Sequence, residues 1–167
     1  LHSQVGREVA MAFEIGSTLH AVESYVQASG LFQSVQVGEP KSPPGQGYHA
    51  AIFMRSVGIN LVYAGGDTRE NHLVTLRIYR DMLAEQTDPQ QSLENEMAVV
   101  VSKLMSDLLG DTDLESTIMT IDVAGMDGTS LRAEYGYLDV GGTMYRMADI
   151  TLPLIVNGSA TVVGTGV

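Results

Sequence analysis

Residues 131–156 read LRAEYGYLDVGGTMYRMADITLPLIV, and this stretch decides the fold. Apolar or aromatic residues occupy every second position from Leu131 to Tyr137, which is typical of a strand with one buried face. Gly141-Gly142 predicts a two-residue turn, and the alternation resumes from Thr143 to about Val156. Because Pro153 has no N–H to donate, we expect this last strand to lie at a sheet edge or to bulge there.

Other segments upstream predict further strands. His72 to Arg80 alternates most clearly. Asp127-Gly128 predicts a hairpin turn, so the last third of the chain is predicted to form a three-stranded meander. The remaining predicted strands are Leu31 to Val37, Tyr48 to Val57, a weak one from Asn60 to Tyr63, and Thr117 to Val123.

Two segments have helical periodicity. The first runs from about Gly6 to Ala28 and ends before Ser29-Gly30. The second begins at Asp88, where Asp88-Pro89-Gln90-Gln91 has the residue types of a helix cap, and it ends near Gly110. The predicted buried stripe of the first helix consists of Met11, Ile15, Leu19, Val22 and Val26. That of the second helix consists of Leu93, Met97, Val100 or Val101, Leu104 and Leu108.

The pattern therefore predicts an α+β fold with two helices packed on a mostly antiparallel or mixed β-sheet in two layers. Residues 1–156 form a single domain in this interpretation, and the Gly- and Thr-rich residues 157–167 form a C-terminal extension. Two polar stretches are predicted loops, Gly38 to Gly47 and Ala64 to Asn71.

Composition excludes several classes of function. The 167 residues include 20 acidic and 9 basic side chains, a net charge of −11, so a general nucleic-acid or anionic-membrane binder is disfavoured. Cysteine is absent, which excludes disulfides and thiolate sites. The apolar runs are too short to span a bilayer, and no signal peptide is predicted.

Motifs for catalysis or cofactor binding are missing. There is no phosphate-binding glycine loop, no nucleophile elbow and no His spacing that suits zinc, so neither a cofactor nor a metal is predicted. The cluster Asp67, Glu70, Asn71 and His72 is more typical of a solvated loop than of a metal site. A small hydrolase or ligand-binding domain remains an alternative, and a deep pocket holding Asp67 and His72 would support it.

Residues 135–138, YGYL, and 141–156, GGTMYRMADITLPLIV, resemble the C-terminal part of tail terminator proteins of long-tailed bacteriophages, particularly those that infect actinobacteria. Leu76 to Arg80 followed by a capped helix fits the same group. The resemblance implies a non-enzymatic virion protein that forms a hexameric ring on the head-proximal end of the tail tube. Such a ring stops tube growth and offers a surface to the neck.

The resemblance also implies the partners. They are further copies of the chain, the tail tube protein and a head-closure or neck connector protein, while DNA only passes through the lumen and no membrane is involved. The acidic charge would keep DNA from sticking to the lumen, and solubility alone explains it equally well. A head-closure protein, another neck component or a tube subunit is the alternative within the same assembly.

The interaction residues follow from loop length and from the predicted edge strand. Arg77 and Arg80 have two open interpretations, surface pairing within the chain or ion pairs between subunits. The predicted ring-face residues are Pro40, Lys41, Pro43, Pro44, Gln46, Asp67, Arg69 and Glu70, and the predicted lateral contacts are Arg77, Arg80, Leu152, Pro153 and Asn157.

Overall fold

The computed structural model describes residues 8–9, 15–82, 89–114, 119–159 and 162–163. Two helices and eight strands follow one another along these residues. They are β1 (Glu8–Val9), α1 (Ile15–Ala28), β2 (Ser34–Val37), β3 (Tyr48–Val62), β4 (Asp67–Asp81), α2 (Pro89–Gly110), β5 (Met119–Ile121), β6 (Arg132–Val140), β7 (Thr143–Ser159) and β8 (Val162–Val163).

Six of the strands form one mixed sheet in which β7 has three partners. The order is β2-β3-β4-β7, with β5 and β6 both on the far side of β7. Only β2 and β3 run parallel, while the other pairs in this sheet are antiparallel. The remaining strands, β1 and β8, pair with each other in a separate two-stranded ribbon. The predicted α+β class with a mostly antiparallel, mixed sheet is confirmed.

Both helices pack on one face of this sheet. The buried side of α1 consists of Thr18, Val22 and Val26, spaced one helical turn apart. The stripe predicted for α2 is confirmed, and Val101 rather than Val100 is its fully buried member. These side chains meet the even-numbered apolar residues of β4 and β7, which are Val74, Leu76, Ile78, Ala148, Ile150, Leu152 and Leu154.

The start of the first helix differs from the prediction. Glu8–Val9 is a strand paired with Val162–Val163, so the helix does not extend back to Gly6, and its described part is Ile15–Ala28. Periodicity cannot reveal this pairing, because the partner strand lies at the opposite end of the chain. Residues 1–7 and 10–14, the Asp88 cap and Thr117 lie outside the described residues, so those details stay predictions.

The second predicted loop is wrong over most of its length. Gly38–Gly47 is a loop as predicted, but residues 67–71 belong to β4, and only a short turn separates them from Val62. The two strands predicted upstream of this turn are one strand, β3, which carries β-bulges between Met54 and Ser56 and between Ile59 and Leu61. Bulges break the alternation that the sequence prediction relies on.

The predicted meander is also wrong in its pairing. The Gly141-Gly142 turn does join β6 to β7, but Asp127-Gly128 does not join a hairpin, since β5 and β6 each pair with β7. Strand β7 is central rather than at an edge, and it continues through Ser159, so the boundary predicted at residue 156 falls inside it.

Pro153 is accommodated because of this arrangement. Its carbonyl accepts the Asp122 N–H at 2.8 Å, on the side of β7 away from β4. In an antiparallel strand, the N and the C=O of one residue point to the same side. The N–H that Pro153 lacks would therefore face the place where the partner of β7 changes from β6 to β5. No ladder hydrogen bond to β4 is lost.

Candidate interaction surfaces

The first predicted contact loop, Gly38–Gly47, is tied to the sheet face opposite the helices. Gly47 N–H donates to Asp81 Oδ1 at 3.0 Å, and the Tyr145 hydroxyl lies 3.3 Å from both N and O of Gly45. Glu39 pairs with Arg77. The loop is therefore held in one conformation from several points.

The predicted contact residues of this loop differ in exposure. Lys41, Pro43 and Gln46 are exposed, whereas Pro40 and Pro44 are half-buried. A Cβ added at Gly141 would lie 3.1 Å from Pro43 Cδ, so the loop also packs beside the β6–β7 turn. The exposed side chains are thus presented on an anchored segment, where little ordering entropy opposes binding.

The other predicted ring-face residues lie on β4. Asp67 is exposed, and Arg69 is half-buried with Nη2 3.0 Å from Asp127 Oδ2. Glu70 is fully buried, so its prediction as a surface contact is wrong. This residue belongs to the core because Thr68 and His72 of its own strand supply polar partners to its carboxylate.

Glu70 is part of a buried polar cluster with Thr18, Thr68 and His72. Thr18 Oγ1 lies 2.9 Å from His72 Nδ1, and His72 Nε2 lies 3.0 Å from Glu70 Oε1. Thr68 donates to the other carboxylate oxygen at 2.8 Å. The order hydroxyl, imidazole, carboxylate is that of an activated nucleophile. However, Thr18 is 1% exposed and His72 0%, so substrate has no access and the cluster serves to fix α1 on β4.

Arg77 is paired within the chain. Its guanidinium donates to both Asp149 oxygens at 2.7 and 2.9 Å and lies 5.3 Å from the centre of the Phe53 ring. The hydrogen bond to Asp149 raises the pKa of Arg77 above its ordinary value. Of the two open interpretations of this arginine, the structure shows pairing inside the chain.

Arg80 is also paired within the chain. It donates to Asp81 at 2.6 Å, approaches Glu96 at 3.6 Å and lies over the Tyr48 ring at 5.2 Å. Burial, followed by the Glu96 charge, raises the pKa of Tyr48 from 10.0 to about 12. Both arginines are therefore paired within the chain, Arg77 with Asp149 of β7 and Arg80 with Asp81 and with Glu96 of α2.

The remaining predicted lateral contacts do not form one surface. Leu152 and Pro153 are buried in the central strand β7, so their side chains cannot meet another subunit, and this prediction is wrong. Asn157 is exposed, opposite Arg69 in the ladder. It stays a predicted contact, together with the exposed loop residues.

Sequence reasoning missed an apolar surface on the second half of β3. Among the described residues, β2 covers β3 only from His49 to Ile52, and beyond this point the edge is open. Four large apolar side chains are exposed along that open part and the following turn: Ile59 (48%), Leu61 (46%), Val62 (62%) and Tyr63 (47%). The sequence shows that four of the five residues from 59 to 63 are apolar or aromatic, but only the edge position of the strand shows that they are exposed.

A second surface of this kind lies on β6 at the opposite edge. Within the described residues β6 pairs with β7 alone, and Tyr135 (45%), Tyr137 (58%) and the neighbouring Met144 (47%) are exposed. Arg146 lies between the tyrosines, 5.5 and 4.6 Å from their ring centres, and is held by Glu94. Tyr, Arg and Met are residue types enriched where proteins meet.

The cavity at His72 does not hold Asp67, the second residue that the hydrolase alternative requires. This cavity of about 120 Å³ is lined by residues that include His72, Asn71, Asp122 and Asp127. In the described ranges no three His, Asp or Glu residues converge to hold a metal ion. Neither helix of the described chain is long and apolar enough to cross a bilayer.

Comparison with known proteins gives likenesses among solved structures but no match at the level of sequence families. No protein-family model matches the sequence, and neither does any curated protein. A solved structure of the sheath/tube terminator of an extracellular contractile injection system, PVC, in the extended state is similar at a TM-score of 0.42 and 14% identity. The match covers 95% of this chain and 63% of that terminator, so the chain spans less than two thirds of its length. A likeness at this level is one of outline, and function has to be argued from the chain's own surfaces.

Proposed function

We propose that this chain is a tail terminator, a non-enzymatic virion subunit that joins further copies of itself in a ring on the end of a tail tube. The observation that carries the proposal is a sheet that, within the described residues, is open at both edges and exposes large apolar side chains beside each. Exposed apolar strand edges are rarely left uncovered in a soluble protein, because they pair with other chains. The resemblance of residues 135–156 to terminators selects this assembly among others.

The proposed mechanism needs no bond-making step. A tube grows because each added layer presents the surface that the next one recognises. A ring that matches the tube on one face and differs on the other occupies the growing end and prevents further addition. In this proposal the ring is hexameric, its first face meets the tail tube protein, and its second meets a neck connector.

The two ends of the long strands are the proposed ring faces. Strand β3 has 15 residues, so it extends over about 45 Å. The anchored loop with Lys41, Pro43 and Gln46 lies at its beginning, and the turn before Asp67 lies at its end. Contacts at these ends therefore lie on opposite faces of a ring whose axis follows the strands.

The charge of the chain fits passage of DNA without binding. Net charge is −11, and the described arginines are largely neutralised by acids of the same chain. These pairs are Arg69–Asp127, Arg77–Asp149, Arg80–Asp81, Arg132–Glu134 and Arg146–Glu94. Cations that are already paired are poor partners for phosphate, so a lumen made from this chain would repel DNA.

Electron microscopy of the purified chain, combined with light scattering for its mass, tests the proposal. We expect closed rings of one size, and we expect that adding them to polymerising tube protein shortens the tubes. Filaments of the chain alone would instead identify a tube subunit. A chain that stays monomeric at all concentrations and leaves tube length unchanged would contradict the terminator role.

A further inference from the structure

We infer that the copies join head to tail by strand addition, with the open edge of β3 in one copy pairing with the open edge of β6 in the next. This inference rests on the proposed self-association and specifies the surfaces that perform it. The occupant of each open edge is thus a second copy of the same chain, and the sheet continues from copy to copy.

The two open edges match in length. The uncovered part of β3 runs from residue 53 to 62, and β6 has 9 residues. Each edge is therefore about 30 Å long. In the β6–β7 register, backbone N–H and C=O groups point alternately toward and away from β7, starting from the Val140–Thr143 pair beside the turn. Those of Tyr135 and Tyr137 point away from β7, toward the side where a strand can be added.

The edges also match in direction. Strands β3 and β7 run one way, and β4 and β6 run the other, because each neighbouring pair is antiparallel. If the next copy is added in the same orientation, its β3 runs antiparallel to β6 of the first copy. That is the pairing already used throughout most of this sheet.

Ile59 and Val62 fall on the same face of the sheet as the exposed tyrosines of β6, whereas Leu61 is opposite Arg69 and points to the other face. Ile59 is opposite Glu70 and Val62 is opposite Thr68, both of which point to the helix side of β4. Tyr135 and Tyr137 are opposite Ala148 and Arg146 on that same side of β7. A continuous sheet would therefore bring aliphatic side chains of one copy beside the tyrosines of the next, a favourable cross-strand combination.

The difference between the edges determines the symmetry. One edge is aliphatic and bulged, while the other is aromatic and contains a stacked arginine, so a contact between them is heterologous. Heterologous contacts produce rings or open filaments rather than two-fold dimers. Each copy then uses its β3 edge to contact one neighbour and its β6 edge to contact the other.

Mixing two single variants tests the inference. Val62→Asp disables the β3 edge and Tyr137→Asp disables the β6 edge. Both side chains are more than half exposed, so folding should persist, and circular dichroism checks that it does. Each variant alone should lose assembly and run as a monomer in light scattering. An equimolar mixture should form a one-to-one dimer that grows no further, because each variant retains the edge that the other lacks.

Val99→Asp is the matched control, since Val99 is 67% exposed and lies on α2 rather than on either edge strand, and its assembly should equal that of the unaltered chain. A mixture that stays monomeric, or an assembly that only one of the two variants disrupts, overturns the head-to-tail pairing. If the unaltered chain forms rings and both edge variants do so as well, the ring stands and this contact is wrong. If the unaltered chain never associates, both proposals fail.

Discussion

Thr18 is the residue through which α1 completes the buried polar cluster. Its hydroxyl is the partner of His72 Nδ1, which has no access to water in the core. Thr18→Val keeps the shape and removes that partner, and we expect a loss of about 1–3 kcal/mol in the free energy of unfolding. Urea unfolding followed by circular dichroism measures it. Thr120→Val, at an exposed position of β5, should change stability far less, and equal losses would contradict the role of the cluster.

Tyr48 makes stability depend on pH at the alkaline end. Its pKa is raised from 10.0 in the unfolded chain to about 12 in the fold, mainly by burial. Between these values the unfolded chain releases its proton while the folded chain keeps it. Stability is therefore fully present below about pH 10 and falls as the pH rises towards 12.

Tyr48→Phe should flatten this alkaline decline, and urea unfolding at a series of pH values measures it. Burial also raises the pKa of Tyr79, so part of the decline should persist in the variant. Tyr137→Phe, at an exposed site, serves as the control for removing a tyrosine hydroxyl. An identical pH profile in Tyr48→Phe and the unaltered chain would show that Tyr48 is not responsible.

Polar residues are where sequence reasoning failed at this scale. Thr68, Glu70 and His72 alternate correctly for a buried strand face, but their polarity favours a loop. They are buried because each finds its partner inside the chain, and one of these partners, Thr18, lies 54 positions from His72 in the sequence. Hydrophobic alternation cannot detect a face that is satisfied by hydrogen bonds.

At the scale of elements, the loop Gly38–Gly47 depends on Tyr145. Tyr145→Phe preserves the edge-to-face contact with Tyr79, in which the ring centres are 6.1 Å apart, but removes both contacts to Gly45. We expect cleavage by trypsin after Lys41 to accelerate about 2- to 10-fold, because weak hydrogen bonds of this kind limit local opening. Mass spectrometry of timed digests measures the rate.

Tyr135→Phe, on β6, should digest at the unaltered rate. A Tyr145→Phe variant that is cleaved no faster would show that Glu39 and Asp81 hold the loop without Tyr145.

Elements with a local signal were predictable, and pairings were not. The α2 stripe, the β4 alternation and the Gly141-Gly142 turn each depend on neighbours in sequence, so their residues predict them. The partner of β5 depends on a strand more than thirty positions away, and nothing in Asp127-Gly128 distinguishes a hairpin turn from a connecting loop. The two exposed edges, which form the candidate site, follow from pairing and were therefore missed.

At the scale of the whole molecule, the net charge of −11 opposes self-association. Every copy repels every other at low ionic strength, whereas the proposed edge contact depends on apolar side chains and backbone hydrogen bonds. We therefore expect assembly to strengthen as salt rises to about 0.15 M, where charges are screened beyond about 8 Å. Sedimentation velocity over a salt series measures the assembled fraction. Assembly that weakens steadily with salt would point to ion pairs between copies instead.

Strand β7 links the two edges of the sheet, and it comes later in the chain than each of its partners β4, β5 and β6. On the ribosome, a nascent chain therefore has β4 and β6 before the strand that joins them. A copy whose synthesis stops early has no continuous sheet and presents the β3 and β6 edges without a fixed relation between them. In the proposed assembly, only a copy translated through β7 presents both edges in a fixed relation, so the order of the strands along the chain would exclude shorter copies.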